Sequence, residues 1–202
     1  MRLSLLSTLA VLAGATSAQL RAGAVINNIE TLTTESRNLI EPAGQIDILS
    51  GPRLLAGEGP LYVVITGFGD IVKTAISAIN SMGIQGVKLP LDAADPAVKR
   101  SETAATDIIY GAEDSAAIAD AFRTFVDVHK QLLNVVIGKA GVLISVPYIG
   151  LPMAKALRLV EAVIDSIAYS LIDTVEATAS AAMRESTVDL DNFIRIAIGA
   201  YT

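Results

Sequence analysis

The sequence predicts an all-α fold, a single-domain bundle of four to five helices. Three observations predict it. Apolar side chains recur every three to four residues along most of the chain, β-branched and aromatic clusters between turn residues are nearly absent, and there is no Cys among the 202 residues. Without disulfides the fold has to rest on a core, and a chain of this length buries on the order of 70% of its unfolded surface.

The chain opens with Arg2, an apolar stretch from Leu3 to Ala15 and the small residues Thr16-Ser17-Ala18. This is the three-part layout of a signal peptide, so residues 1–18 are expected to be cleaved and 19–202 to form the mature domain, secreted to the medium or the cell wall. The apolar stretch is short of the roughly 20 residues a membrane span needs, so no transmembrane segment is expected after cleavage. Loss of Arg2 leaves 14 basic against 21 acidic residues, a net charge of −7. Such an acidic chain has no electrostatic reason to seek nucleic acid or an anionic membrane. With 52% hydrophobic and 18% charged residues, it carries more apolar area than a small bundle needs for its core, and the surplus is expected to be functional. No Asn-x-Ser/Thr sequon is present.

The first helix is marked by Val25, Ile29, Leu32 and Leu39 and is expected to end at Glu41-Pro42, since the residue before proline is pushed out of the α region. Residues 43–60, rich in Pro and Gly, read as a loop. Pro60 suits the first turn of a second helix carrying Leu61, Ile65, Phe68, Val72, Ala75, Ile79 and Met82, in which Gly67 and Gly69 predict a kink or a close helix contact. Val63-Val64-Ile65 is the best local case for a strand, but the longer period around it favours helix. A polar linker follows from Gly83 to Pro96. The third helix is predicted from about Ser115 to Val142, with Ile118, Phe122, Phe125, Leu132 and Val136 on one seam. The fourth runs through Leu157, Val160, Ile164, Ile167, Leu171, Val175 and Ala182 with heptad-like spacing. Asp189 is placed as the cap of a short last helix through Leu190, Phe193, Ile194, Ala197 and Tyr201.

With the helices placed, a wider pattern emerges. It comprises Ile26, Ile29 and Leu32-Thr33, then Phe125, Leu132-Leu133 and Lys139, a Val146-Pro147 break, Ala156-Leu157 through Leu171, and a close on Asp189, Asp191, Phe193, Ala197-Ile198 and Ala200-Tyr201. Over roughly residues 23–201 this resembles the fungal hydrophobic surface binding protein A family, which includes the cell-wall galactomannoproteins. The resemblance implies secretion, binding to hydrophobic surfaces and, in some members, a fatty acid inside the bundle. The Pro/Gly-rich loops at 43–60 and 83–96 look longer than the family's, and no Ser/Thr-rich stalk or apolar tail follows Thr202, which speaks against covalent wall attachment.

No catalytic set can be assembled. His129, the only histidine, shares a seam with Phe125 and Leu132, and Asp127 is too near in sequence to face it. With no Cys and one His, a zinc site would have to be mostly carboxylate, and the pairs Asp92/Asp95 and Glu113/Asp114 are explained by capping and the helix dipole. Gly67-Phe68-Gly69 lacks the strand, third glycine and lysine of a phosphate loop, so no cofactor and no metal are expected. Lys99-Arg100 reads as an ordinary exposed pair, with dibasic processing as the alternative.

Residues 140–154 carry no charge and lie where one helix turns into the next, a place where a solvated loop is normally polar. Either the segment plugs the end of the core, or Val142, Leu143, Ile144, Tyr148, Ile149 and Leu151 form an apolar lip that docks on lipid or wax. An acyl ligand within the bundle would touch Phe68, Val72, Phe122, Phe125, Leu132, Leu133, Leu157, Val160, Ile164, Ile167, Leu171 and Phe193. Small residues at Gly69, Ala75, Ala121, Ala156 and Ala168 could leave a channel for it, with its carboxylate at a mouth near His129, Lys139, Tyr148 or Lys155. The sequence thus points to a secreted, non-enzymatic protein binding lipids, fatty acids or hydrophobic surfaces. The alternative is a wall or secretome structural protein that recruits another secreted protein such as an esterase.

Overall fold

A computed structural model describes residues 4–81, 110–144 and 150–202, without the side chains of residues 4–20, 51 and 144. The described residues form six helices: α1 (Ser4–Gly44), α2 (Ser50–Leu55), α3 (Pro60–Ser81), α4 (Ala112–Ile144), α5 (Gly150–Ile172) and α6 (Ala177–Gly199). Five are long, and α2 is a short piece in the connection that the sequence read as plain loop.

Cross-helix contacts give each helix its direction. Asn28 Nδ2 donates to Ser81 Oγ at 3.1 Å and Thr74 Oγ1 to Glu35 at 2.7 Å, so α1 and α3 are antiparallel. Ser36 meets His129 at 2.9 Å and Lys139 Nζ donates to the Ile46 carbonyl at 3.1 Å, so α1 and α4 run parallel. The Glu176 N–H donates to Ser115 Oγ, Lys130 pairs with Asp189, and the Tyr201 hydroxyl donates to the Val136 carbonyl, aligning α6 with α4. Ion pairs Arg184–Asp173 and Arg195–Glu161 set α5 antiparallel to α6. Packing runs from α1 to α4, α6, α5, α3 and back to α1. The five long helices therefore close a ring, and the residues they turn inward lie around one axis.

Each long helix buries one stripe, as an amphipathic helix must. In α3 the stripe is Leu61, Val64, Phe68, Ile71, Val72, Ala75, Ala78 and Ile79. By length and composition this helix could cross a membrane, but here that face packs against its neighbours. The expected close approach in α3 is at Gly67, where a Cβ would stand 2.3 Å from Leu39 Cδ2 of α1. At Gly150 a Cβ would come within 2.8 Å of the Tyr201 carbonyl oxygen, so the start of α5 can lie directly against the end of α6.

Three boundaries differ from expectation. The first helix does not stop at Glu41-Pro42 but passes through Pro42 to Gly44. A proline removes one N–H from the ladder, and full burial of Ala43 holds the last turn in place. The expected fourth helix through Ala182 is two helices, broken over residues 173–176. The break is held by the Thr174 carbonyl, which accepts from the Tyr110 N–H, and by Ser115 on Glu176. Because both helices bury their inner face and Val175 between them is buried too, the apolar spacing hides the turn. Asp189 therefore caps nothing: it lies inside α6 and pairs with Lys130 of α4. Glu113 and Asp114 do occupy the first turn of α4, where the helix dipole favours them. Asp92, Asp95, Lys99, Arg100 and the linker at 83–96 lie outside the described residues.

Candidate functional site

The ring direction places the C-terminal ends of α1, α4 and α6, the N-terminal ends of α3 and α5, and α2 at one end of the bundle. On the axis, a small cavity is lined by Ile29 and Leu32 of α1, Phe122 and Phe125 of α4, and Ile164 and Ile167 of α5. Its lining is wholly apolar, and its volume is about 10 Å³. That is room for about one water, and an apolar space of this size stays dry. Of the small residues expected to leave a channel, Ala75 and Ala168 are buried in the core, Ala121 and Ala156 are half-buried against it, and none of them borders this cavity.

Of the side chains expected to touch a ligand, Phe122, Phe125, Ile164 and Ile167 border this cavity. Phe68, Val72, Leu132, Leu133, Leu157, Val160 and Leu171 are buried in the same core without lining it. Phe193 is half-buried beneath Lys130, whose Nζ stands 4.6 Å from the ring centroid, so it belongs to the α4–α6 seam. Ile29 and Leu32 were missing from the expected set. Their spacing on the first helix could have supplied them.

His129 is not at a mouth. It is wholly buried between α1, α3 and α4, with Nδ1 at 2.9 Å from Ser36 Oγ. Phe125 lies across the ring at 5.3 Å between centroids, and Phe68 meets it edge-on at 6.4 Å. Nε2 has no hydrogen-bond partner among the described residues. Burial pulls the imidazole down to about 4, so it is neutral at ordinary pH. Ser36 and His129 each stand one turn beyond residues of the cavity wall, Leu32 on α1 and Phe125 on α4. A second polar group lies at the α5–α6 seam. There, desolvation and the neighbouring Asp191 and Glu161 carboxylates push Asp165 well above the usual carboxylate range. Among the described residues no cluster of His, Cys, Asp and Glu could hold a metal ion.

The expected lip is only partly a lip. Leu143 is fully buried and belongs to the core, because the last turns of α4 continue its inner stripe. Val142 is half-buried, and Leu151 is 62% exposed. The Ile144 side chain and residues Tyr148 and Ile149 lie outside the described residues. Ile48, Leu49 and Leu55, the last 90% exposed, add apolar surface at the same end, from a connection whose Pro/Gly-rich composition did not single them out. Lys139 is drawn in to hold the Ile46 carbonyl at this end, while Lys155 is exposed on α5.

The architecture is similar to that of two solved structures. The crystal structure of AfMP4p in complex with palmitic acid superposes with a TM-score of 0.59 at 16% identity, over 90% of this chain and 99% of that one. Ligand binding domain 1 of the Penicillium marneffei MP1 protein, complexed with arachidonic acids, gives 0.58 at 11% identity, over 88% and 99%. No protein-family model and no curated protein sequence matches the chain. At these identities the likeness establishes the fold: an all-helical bundle shared along nearly the whole length of both chains.

Proposed function

We propose that this protein is a non-enzymatic, secreted carrier that holds a fatty acid or a similar single-chain lipid along the axis of its helix ring. The observation that carries the reading is the axis, where three helices turn only apolar side chains towards one point in a fold shared with two fatty-acid complexes. The axial cavity cannot take an acyl chain as it stands, so loading requires the ring to open and Phe122, Phe125, Ile164 and Ile167 to repack. The magnitudes allow this. Each buried methylene contributes about 0.8 kcal/mol, and forcing extra volume into a packed core costs typically 1–3 kcal/mol. A long chain therefore supplies several times the repacking cost.

Native mass spectrometry of the protein purified from its host's medium tests the reading. The expected result is a chain beginning at Gln19 with a co-purifying species of lipid mass, restored by palmitate after delipidation. A chain that neither carries nor takes up any lipid would refute it.

A second reading, adsorption to hydrophobic surfaces, is favoured by the exposed Ile48, Leu49, Leu55 and Leu151 at one end of the bundle. It fits the resemblance to the hydrophobic surface binding protein A family, and recruitment of a secreted esterase would be a further use of the same end. Changing Ile48, Leu49 and Leu55 to Ser should weaken retention on alkyl-coated beads several-fold, whereas unchanged retention would remove this end from the account.

A further inference from the structure

Burying a polar atom without a partner costs about 1–3 kcal/mol, and almost every buried polar group in a folded protein has one. His129 Nε2 is such an exception, wholly buried against Phe68 and Phe125 of the apolar core. The ring is not loosely placed. Ser36 holds its Nδ1 edge, Phe125 lies tilted across the ring and Phe68 meets it edge-on, so the imidazole is held in one orientation. Phe125 is shared: the side chain that packs on the imidazole also forms part of the axial cavity wall. A chain that displaces Phe125 on entering the axis therefore moves the ring that packs on this polar pair.

We propose that the His129–Ser36 pair is an internal anchor for the polar head of the ligand, favouring carboxylic acids over chains without a polar head. The inference rests on the carrier reading and adds to it where the head lies: inside the ring, not at a mouth. A neutral imidazole has one donor and one acceptor nitrogen. With Nδ1 engaged by Ser36, Nε2 either accepts the O–H of a neutral acid or donates its own N–H to a carboxylate. The first uses the Nδ1–H tautomer, with Nδ1 donating to Ser36 Oγ; the second uses the Nε2–H tautomer, with Nδ1 accepting the Ser36 hydroxyl and the acid bound after losing its proton to solvent. An alkane offers neither a donor nor an acceptor, and it would leave Nε2 without a partner. Burial keeps the unliganded ring neutral, so no charge has to be accommodated before the head arrives.

The test uses the full mature chain with 15N-labelled histidine, titrated with palmitate and with the alkane of matched length. The imidazole 15N spectrum of the wild type is expected to move at Nε2 with palmitate and to stay unchanged with the alkane. His129→Leu is expected to weaken palmitate binding about ten- to hundredfold, the range of a hydrogen bond to a charged or acidic group, and to leave alkane binding within about twofold. Ser36→Ala keeps the imidazole and should give a smaller loss in the same direction. An Nε2 resonance that ignores bound palmitate, or equal losses for both ligands in His129→Leu, overturns the anchor while leaving the carrier reading intact. Failure of the wild type to bind either ligand overturns both.

Discussion

Phe125→Ala is expected to destabilise the protein by about 3–5 kcal/mol, the range for removing a buried aromatic side chain. Phe125 is 2% exposed, packs on Phe122 at 6.2 Å and on His129 at 5.3 Å, and lines the axial cavity. Its loss removes dispersion contacts and ring pairings together and enlarges a void that the surrounding helices cannot fully collapse. For a domain of this size each kcal/mol lowers Tm by about 2–4 °C, so thermal melts followed by circular dichroism should shift by roughly 6–20 °C. The carrier account adds a second outcome. The enlarged axial space is preformed for an acyl chain, so saturating palmitate should recover more stability in Phe125→Ala than it adds to the wild type. A loss below about 1 kcal/mol would mean that Phe125 is not part of a tightly packed axis.

Acid is expected to destabilise the fold through His129 by about 3 kcal/mol between pH 7 and pH 4. The buried imidazole titrates near 4 in the folded protein against 6.5 when exposed. The unfolded chain therefore binds the proton first as pH falls. The contribution is complete above 6.5 and is lost as pH descends through 4, at about 1.4 kcal/mol per unit of difference. Asp165 works the other way. Its folded value is raised by desolvation and by Asp191, so its contribution is complete at low pH and fades as pH rises through the raised value. The two trends partly offset in the wild type, so the measurement is a difference. In urea melts, the stability of the wild type minus that of His129→Gln should fall by about 3 kcal/mol from pH 7 to pH 4. A difference that does not change with pH would show that His129 is solvated.

Much of the fold was legible because its physics is local. The spacing of Ile118, Phe122, Phe125, Leu132 and Val136 specifies one face of α4, and all five are buried. The start of α3 at Pro60 follows from the tolerance of proline in a first turn. What could not be read depends on distant residues. The turn at 173–176 is held from α4 and its approach by Ser115 and Tyr110, while the apolar period runs through it unbroken. Periodicity also gives a face but not a depth. It put His129 on a seam without revealing that Ser36, 93 positions earlier, would meet it inside the core. The same limit separates Phe193, half-buried at a seam, from Phe122 and Phe125 on the axis. Leu143 and Leu151 come from one uncharged run, yet the helices at its two ends turn the first inward and leave the second in solvent.

On the proposed carrier reading, an acyl chain takes the place of the packed side chains on the ring axis. Nuclear Overhauser contacts between 13C-labelled palmitate and the methyl groups of the loaded protein decide whether it does. Contacts are expected from the palmitate methylenes to Ile29, Leu32, Ile164 and Ile167, which line the axis. Contacts confined to exposed methyls such as those of Ile48, Leu55 and Leu151, with the axial methyls unperturbed, would contradict it.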